Sequence, residues 1–154
     1  MHIPEDSTPQ EGSPTQVQQL IRLLQTGEQA NIELALQLAE GLGNPAAFQA
    51  YLHDLLPLYQ LAFKSKRQKP LDAPSMVKLF QLTKLEVRRR KLSILPENIS
   101  QLINLQVLDC SDNQLPALPE SIGQLQKLKV FNCSFNQLQT LPESITQLQM
   151  QIKS

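Results

Sequence analysis

A period of 23 residues in the second half of the chain constrains its fold more than any other feature. Residues 95–102 read LPENISQL, residues 118–125 read LPESIGQL and residues 141–148 read LPESITQL. Each copy begins 23 residues after the previous one. A fixed period of about 20 to 50 residues is typical of solenoids, in which each repeat buries its apolar side only by stacking on its neighbours.

Each of the first two copies is followed by a pattern that predicts one short β-strand. Segments 105–115 and 128–138 have the form LxxLxCxxNxL, with phenylalanine at one apolar position of the second segment. Alternating residues such as Leu108 and Cys110 point to one side of a strand. The proline-led segment between strands has apolar residues at every third position, which is typical of a 3₁₀ or short α-helical turn. We therefore expect a parallel sheet with one strand per repeat, covered by helical turns.

An asparagine follows each predicted strand and is expected to turn the chain. The side-chain amides of Asn113 and Asn136 can bond to backbone groups where the strand ladder ends. Residues 82–92 form a degenerate earlier copy, in which Arg90 takes the asparagine position and leaves its turn without that amide. The final copy is expected to end at Ser154 before its strand, which would leave an uncapped edge.

Residues 72–154 resemble a leucine-rich repeat array of the 23-residue LPxxIxxLxxLxxLxLxxNxL type. This type is similar to the Ras-group-related repeats of plants and animals and to their bacterial counterparts. The resemblance implies an α/β solenoid of about three and a half repeats, the last incomplete, with short parallel strands on a concave face. It also implies that the commonest role of such an array is to bind another protein on that concave face.

The first half of the chain is predicted to be helical. Residues 1–16 carry three prolines and no periodic apolar signal, so we expect disorder there. Residues 17–71 are expected to form a small α-helical cap over the first repeat, or alternatively a separate recognition module. Residues 26–29 can act as a capping box, and Pro57 is expected to kink or split a helix. The first apolar stripe at helical spacing comprises Val17, Leu20, Ile21 and Leu24.

Charge is segregated along the chain, although the formal net charge is zero. Residues 64–91 contain ten basic and two acidic residues, and the rest of the chain contains four basic and twelve acidic residues. In the simplest interpretation this is a solvated junction, in which Arg88 or Arg89 approaches Asp109 and Asp112 of the next repeat. If the positive field attracts a partner, an acidic protein surface is favoured. Nucleic acid is not expected, because no aromatic residues interleave with the basic ones.

The repeat register predicts which residues the concave face presents. Phe135 stands out in this set because the pattern points its ring away from the core, where it is either a binding anchor or a residue covered by a following repeat. The predicted columns, strand by strand, are Lys84, Val107 and Val130; Glu86, Asp109 and Asn132; Arg88, Ser111 and Ser134; and Arg89, Asp112 and Phe135.

No motif in the sequence points to catalysis, a cofactor or a metal. Cys110 and Cys133 are one period apart at the inward strand position, so we expect stacked, buried, reduced thiols rather than metal ligands. No nucleophile–base set and no phosphate-binding loop are recognisable. No apolar run is long enough for a membrane span and no secretory leader is recognisable, so a cytoplasmic location is expected.

We therefore predict a non-catalytic module that binds a protein partner on the concave face of the array. Two alternatives stay open. The chain could be a regulatory fragment of a larger GTPase- or kinase-linked signalling protein. It could also be an orphan truncated array that self-associates through its open C-terminal edge.

Overall fold

The computed structural model describes residues 12–148 and, for the backbone alone, residues 151–153. The helices are α1 (Pro14–Gln25), α2 (Gln29–Gly41), α3 (Ala46–Phe63) and α4 (Ala73–Phe80). The strands are β1 (Lys84–Glu86), β2 (Val107–Asp109), β3 (Val130–Asn132) and β4 (Gln151–Lys153). Three 3₁₀ turns, Glu97–Gln101, Glu120–Gln124 and Glu143–Gln147, alternate with the strands. None of the helices in this described part of the chain has the length and apolarity needed to cross a membrane.

The four strands form one parallel sheet in the order β1, β2, β3, β4. This arrangement confirms the predicted solenoid with one strand and one helical turn per repeat. The expectation that the last repeat stops before its strand is wrong, because β4 pairs with β3. The 23-residue period would start the fourth strand at residue 153, whereas Gln151 pairs with Val130 two residues earlier than that period requires.

The first helix begins earlier than the apolar stripe predicts. Pro14 occupies the first helical turn, and Ser13 and Gln16 form a reciprocal capping box. The Ser13 N–H donates to Gln16 Oε1 at 2.7 Å, and the Gln16 N–H donates to Ser13 Oγ at 3.4 Å. The disorder expected for residues 1–16 is therefore wrong from Ser13 onward. For residues 1–11 that expectation lies outside the described part of the chain.

Two local predictions for the helical region are wrong. Thr26 does not cap α2 through a capping box, because its hydroxyl donates to Leu23 O and accepts from the N–H of Glu28 instead. Helix α3 also continues through Pro57, so the predicted split is wrong, and the kink stays a prediction. Buried Leu55 and Leu58 flank the proline and hold both parts of the helix against the core.

A single apolar core runs from the helices into the repeats. It extends from Val17 in α1 to Ile145 in the third 3₁₀ turn without a break. Helix α4 supplies Met76 and Leu79 to this core, at the positions that isoleucine and leucine fill in the later repeats. It therefore takes the place of the helical turn in the degenerate first repeat.

The helical region also contacts the first 3₁₀ turn through the kind of hydrogen bond that joins one repeat to the next. Ser144 Oγ donates to Glu120 O at 2.6 Å, and Ser121 Oγ donates in the same way to Glu97 O. Asn98, one period earlier, donates through its side-chain amide to Asp54 O in α3. Helix α3 thus offers the first 3₁₀ turn the carbonyl that a preceding repeat would have supplied.

A half-buried polar cluster joins α1, α3 and the first 3₁₀ turn. Gln101 Oε1 accepts from Tyr51 Oη and from Gln25 Nε2, both at 2.7 Å. Burial raises the pKa of the Tyr51 phenol to about 12. The phenol is therefore neutral and available as a donor across the ordinary pH range.

Candidate protein-binding face

One side of the sheet is buried and the other is open. The central residue of each of the first three strands, Leu85, Leu108 and Phe131, is fully buried. Its neighbours along the strand point the other way and are exposed or half-buried. We call this side the open face. The strand register aligns Lys84, Val107 and Val130 in one column and Glu86, Asp109 and Asn132 in the next.

The columns continue past the ends of the strands, but one predicted contact residue is buried. Ser111 is only 2% exposed, although the pattern placed it on the open face. Its N–H and its Oγ donate to Asp109 Oδ1 at 3.0 and 2.6 Å. Ser134 makes the same two bonds to Asn132. These bonds close the strand end and fold each serine hydroxyl back onto its own strand.

The last column lies where the backbone turns. Arg89, Asp112 and Phe135 all have positive φ, at 53, 54 and 57°. This left-handed conformation is uncommon for residues other than glycine. It ends each strand and directs the chain into the asparagine that follows, or into Arg90 in the first repeat. Arg89 and Phe135 are exposed, and Asp112 is half-buried.

The predicted asparagine turns are confirmed. Asn113 Nδ2 donates to the carbonyls of Val87 and Cys110, both at 2.9 Å. Its Oδ1 accepts from the N–H groups of Arg90 and Leu92 in the preceding repeat, both at 3.0 Å. Each asparagine therefore stabilises its own turn and the previous one.

Arg90 explains how the first turn forms without an asparagine. Its guanidinium donates from Nη2 to Glu86 O at 2.9 Å, within its own repeat. Through Nη1 it also donates to Leu61 O at 2.6 Å, in the last turn of α3. Carbonyls at a helix C-terminus lack partners within the helix and attract positive charge. The sequence signal was present as an arginine that broke the repeat pattern, but nothing local indicated its partner.

The charges on the open face largely pair with one another. Asp112 Oδ2 accepts from Arg88 Nη2 at 3.1 Å and from Arg89 Nε at 3.3 Å. The hydrogen bond from Arg88 is the main reason that the pKa of Asp112 lies below its ordinary value. Lys84 Nζ lies 3.0 Å from Glu86 Oε1. The expected contact of the arginines is thus found at Asp112, whereas Asp109 bonds to Ser111.

Phe135 lies at the far end of the face from the helices and is 80% exposed. Beside it, the last turn forms an open cavity of about 290 Å³, which is lined in part by Ser134, Leu138 and Leu141. An exposed ring next to a partly apolar cavity offers contact area to a partner at little cost in conformational entropy.

Both cysteines are buried, as the period predicts. Burial raises the pKa of Cys110 to about 12, and it also raises the pKa of Cys133. A protonated, buried thiol is a poor nucleophile and a poor metal ligand. No group of three potential metal-ligating side chains comes together within the described residues.

The repeat region of the chain is similar to known proteins. The sequence profile of a leucine-rich repeat region matches residues 52–151, which is more than half of the chain. Among solved structures, a leucine-rich repeat protein of Leptospira interrogans is 45% identical over 47% of this chain and 19% of that chain, with a TM-score of 0.44. The chain therefore spans about a fifth of that protein's length. No curated protein matches the sequence.

Proposed function

The chain belongs to the leucine-rich repeat family, and from that premise we propose that it is a non-catalytic module that binds another protein on the open face of its sheet. Membership of the family suggests a protein-interaction module. The observation that carries the proposal is the register of β1, β2 and β3, which lines up their outward side chains as a preformed surface. A preformed surface loses little ordering entropy when it binds.

The open face divides into an apolar centre and a polar surround. Val107 and Val130 are half-buried neighbours at the centre, and Phe135 projects at one end. Interfaces are commonly organised in this way, with apolar anchors inside a rim of polar groups. Ser111 is left out of the proposed face because it is buried. The remaining contact residues we propose are Lys84, Glu86, Arg88, Arg89, Asp109, Asp112, Asn132 and Ser134.

The width of the open face limits the affinity that we expect for a partner. Strands in a sheet lie about 4.8 Å apart, so four strands span about 14 Å between the outer two. A surface of this width is too narrow to bury the area of a standard interface, which is about 800 Å² on each partner. We therefore propose a partner that contributes a short segment or a single loop, with modest affinity.

A pull-down with matched variants tests the proposal. The parent chain, Phe135→Ala, Val107→Arg and Ile94→Ala would each be used to capture proteins from the source organism's extract. Ile94 is a suitable control because it is 73% exposed but lies outside the strands. We expect a protein that the parent and Ile94→Ala retain and the two face variants lose. Equal recovery by all four chains would contradict the proposal.

We also propose the charge of the partner protein and the cellular compartment in which the two meet. Residues 64–91 carry the excess of positive charge, which supports an acidic protein as partner rather than a basic one. The buried free thiol of Cys110 supports a reducing compartment such as the cytoplasm.

A second candidate function is self-association through β4. This strand is last in the sheet order, and among the described residues no strand pairs with its outer edge. An unpaired strand edge is a template for another chain. A sedimentation coefficient that rises with protein concentration would support this candidate, and a monomer at all concentrations would exclude it.

A further inference from the structure

We propose that the loop between α3 and α4 extends the open face into a single basic surface that binds an acidic segment of the partner protein. This inference rests on the proposed function, because it adds residues from the helical region to the same site. The basic surface is defined as Lys64, Lys66 and Lys69 from the loop together with Arg88, Arg89 and Lys91 from the first repeat.

Arg90 brings the two halves of the basic surface together. Its bond to Leu61 O fixes the end of α3 against the turn that follows β1. Lys64 is three residues beyond Leu61, about one helical turn or 5 Å along the axis. Lys91 and Arg89 flank Arg90 directly in sequence. This bond places the start of the loop, at Lys64, beside the turn that carries Arg89 and Lys91, although the basic residues of the two segments are 19 or more positions apart in the chain.

Backbone and side-chain bonds hold the loop in one conformation. Gln60 Nε2 donates to Arg67 O at 2.6 Å, and the Arg67 N–H donates to Ser65 Oγ at 3.1 Å. The Arg67 guanidinium donates to Pro70 O at 2.8 Å and to Asp72 Oδ2 at 3.2 Å. The lysines between these anchors are presented on an ordered backbone, so a partner does not have to order the loop.

Ion pairing among the described residues leaves the lysines of the basic surface without a carboxylate of their own. Asp72 is paired with Arg67, and Glu86 is paired with Lys84. Asp112 serves two arginines at once, which leaves one positive charge in excess. Within the described residues, no carboxylate lies within ion-pair distance of the exposed side chains of Lys64, Lys66, Lys69 and Lys91.

The surroundings favour a polypeptide over a nucleic acid as the occupant. Glu86, Asp109 and Asp112 interrupt the positive charge of the adjoining open face, which therefore offers no continuous track for a run of phosphates. Phe63, next to the loop, packs against Tyr59 with ring centroids 4.7 Å apart and is not a free stacking platform. A peptide can place acidic residues on the lysines and apolar residues on the centre of the face.

Selection from a library of random dodecapeptides displayed on phage tests this inference. The targets are the full parent chain, a loop variant with Lys64→Gln, Lys66→Gln and Lys69→Gln, and a control variant with Arg22→Gln, Lys127→Gln and Lys129→Gln. Both variants lose the same charge, but the control residues lie in α1 and just before β3. We expect the parent to enrich peptides rich in aspartate and glutamate. Their affinity should fall about tenfold in the loop variant and less than about twofold in the control.

The outcomes separate the inference from the proposed function. Peptides that need Val107 and Phe135 but are not acidic, or that bind the loop variant unchanged, would overturn the inference and leave the proposed function in place. Recovery of no peptide by the parent would contradict both. Salt-sensitive binding of a mixed-sequence single-stranded DNA, lost in the loop variant and unaccompanied by acidic peptides, would assign the surface to nucleic acid and overturn the inference.

Discussion

Arg90 joins the two halves of the chain at the scale of a single residue. The repeat pattern calls for asparagine at this position, and the two later repeats have it. Arginine instead reaches Leu61 O in α3 while still bonding within its own turn. The side-chain amide of Asn113 closes the first turn from the next repeat. One departure from the pattern thus adds a long-range bond to the local one.

We expect Arg90→Ala to lower the free energy of unfolding by about 1 to 3 kcal/mol, because two backbone carbonyls lose a charged donor. Arg88→Ala is the matched control, since Arg88 makes an exposed ion pair and its removal should cost less than about 1 kcal/mol. Urea unfolding followed by circular dichroism measures both values. Equal values for the two variants would contradict the role given to Arg90.

The carboxylate of Asp112 is expected to titrate below its ordinary range, with Arg88 as the main cause. Because the folded-state pKa is lowered, the interaction stabilises the protein above the unfolded-state pKa, and this stabilisation is lost as pH falls through the folded-state pKa. Carboxyl-detected NMR titration should show a larger rise in this pKa in Arg88→Gln than in Arg89→Gln. No rise in either variant would show that the ion pairs do not form in solution.

Residues whose environment recurs with the 23-residue period could be predicted from the sequence. Residues whose roles depend on particular side-chain contacts in the folded chain could not. Cys110 and Asn113 could be placed from spacing alone, because every repeat puts the same position in the same environment. Ser111 was assigned to the open face by the same logic, but it is buried, with its hydroxyl bonded to Asp109. The reach of Arg90 to Leu61 has no periodic signal at all.

At the scale of elements, the 3₁₀ turns set how closely repeats can stack. Gly123 lies where the second turn meets the third. A Cβ added there would come within 2.5 Å of both Ser144 Cβ and Ser144 O. Backbone atoms cannot move aside without disturbing the next turn. Glycine is therefore needed for close approach and not for an unusual φ angle.

We expect Gly123→Ala to destabilise the protein by about 1 to 3 kcal/mol, because the stacked turns must separate to admit the methyl group. Ser100→Ala, at the equivalent position one repeat earlier, is the control and should change stability by less than about 0.5 kcal/mol. Thermal unfolding of the two variants measures the difference. If Gly123→Ala has the stability of the parent chain, the close stacking described for the second and third turns is wrong.

The elements were easier to predict than their ends. Three strands and three turns follow from the 23-residue period, and α1 and α3 follow from helical spacing. Helix α1 was predicted to start too late because Ser13 and Gln16 act through capping, which carries no apolar signal. Strand β4 was missed because it pairs with β3 at an offset of 21 residues, two fewer than the period of the other strands.

At the scale of the whole molecule, the helices and repeats share one core. Apolar residues of α3 and α4 contact the first repeat, and the core continues to the third turn. A shared core predicts that both parts unfold together rather than as two units. Tyrosine fluorescence can test this because both tyrosines, Tyr51 and Tyr59, lie in α3.

We expect Leu108→Ala to lower the free energy of unfolding by about 2 to 5 kcal/mol, because Leu108 is fully buried in β2. The tyrosine fluorescence transition and the far-ultraviolet circular dichroism transition should shift together. Leu24→Ala, in α1, provides the reciprocal comparison and should shift both signals in the same way. A fluorescence transition that Leu108→Ala leaves unmoved would show that the helices fold independently of the repeats.

The central claim is that a partner protein contacts the open face of the sheet. The most direct measurement is photo-crosslinking with benzoylphenylalanine placed at Phe135 in one chain and at Ile94 in another. Both positions are exposed, and only Phe135 belongs to the proposed face. We predict that the Phe135 probe forms a discrete crosslink to one protein in the source organism's extract and that the Ile94 probe does not. A crosslink of equal yield from both positions, or from Ile94 alone, would contradict the claim.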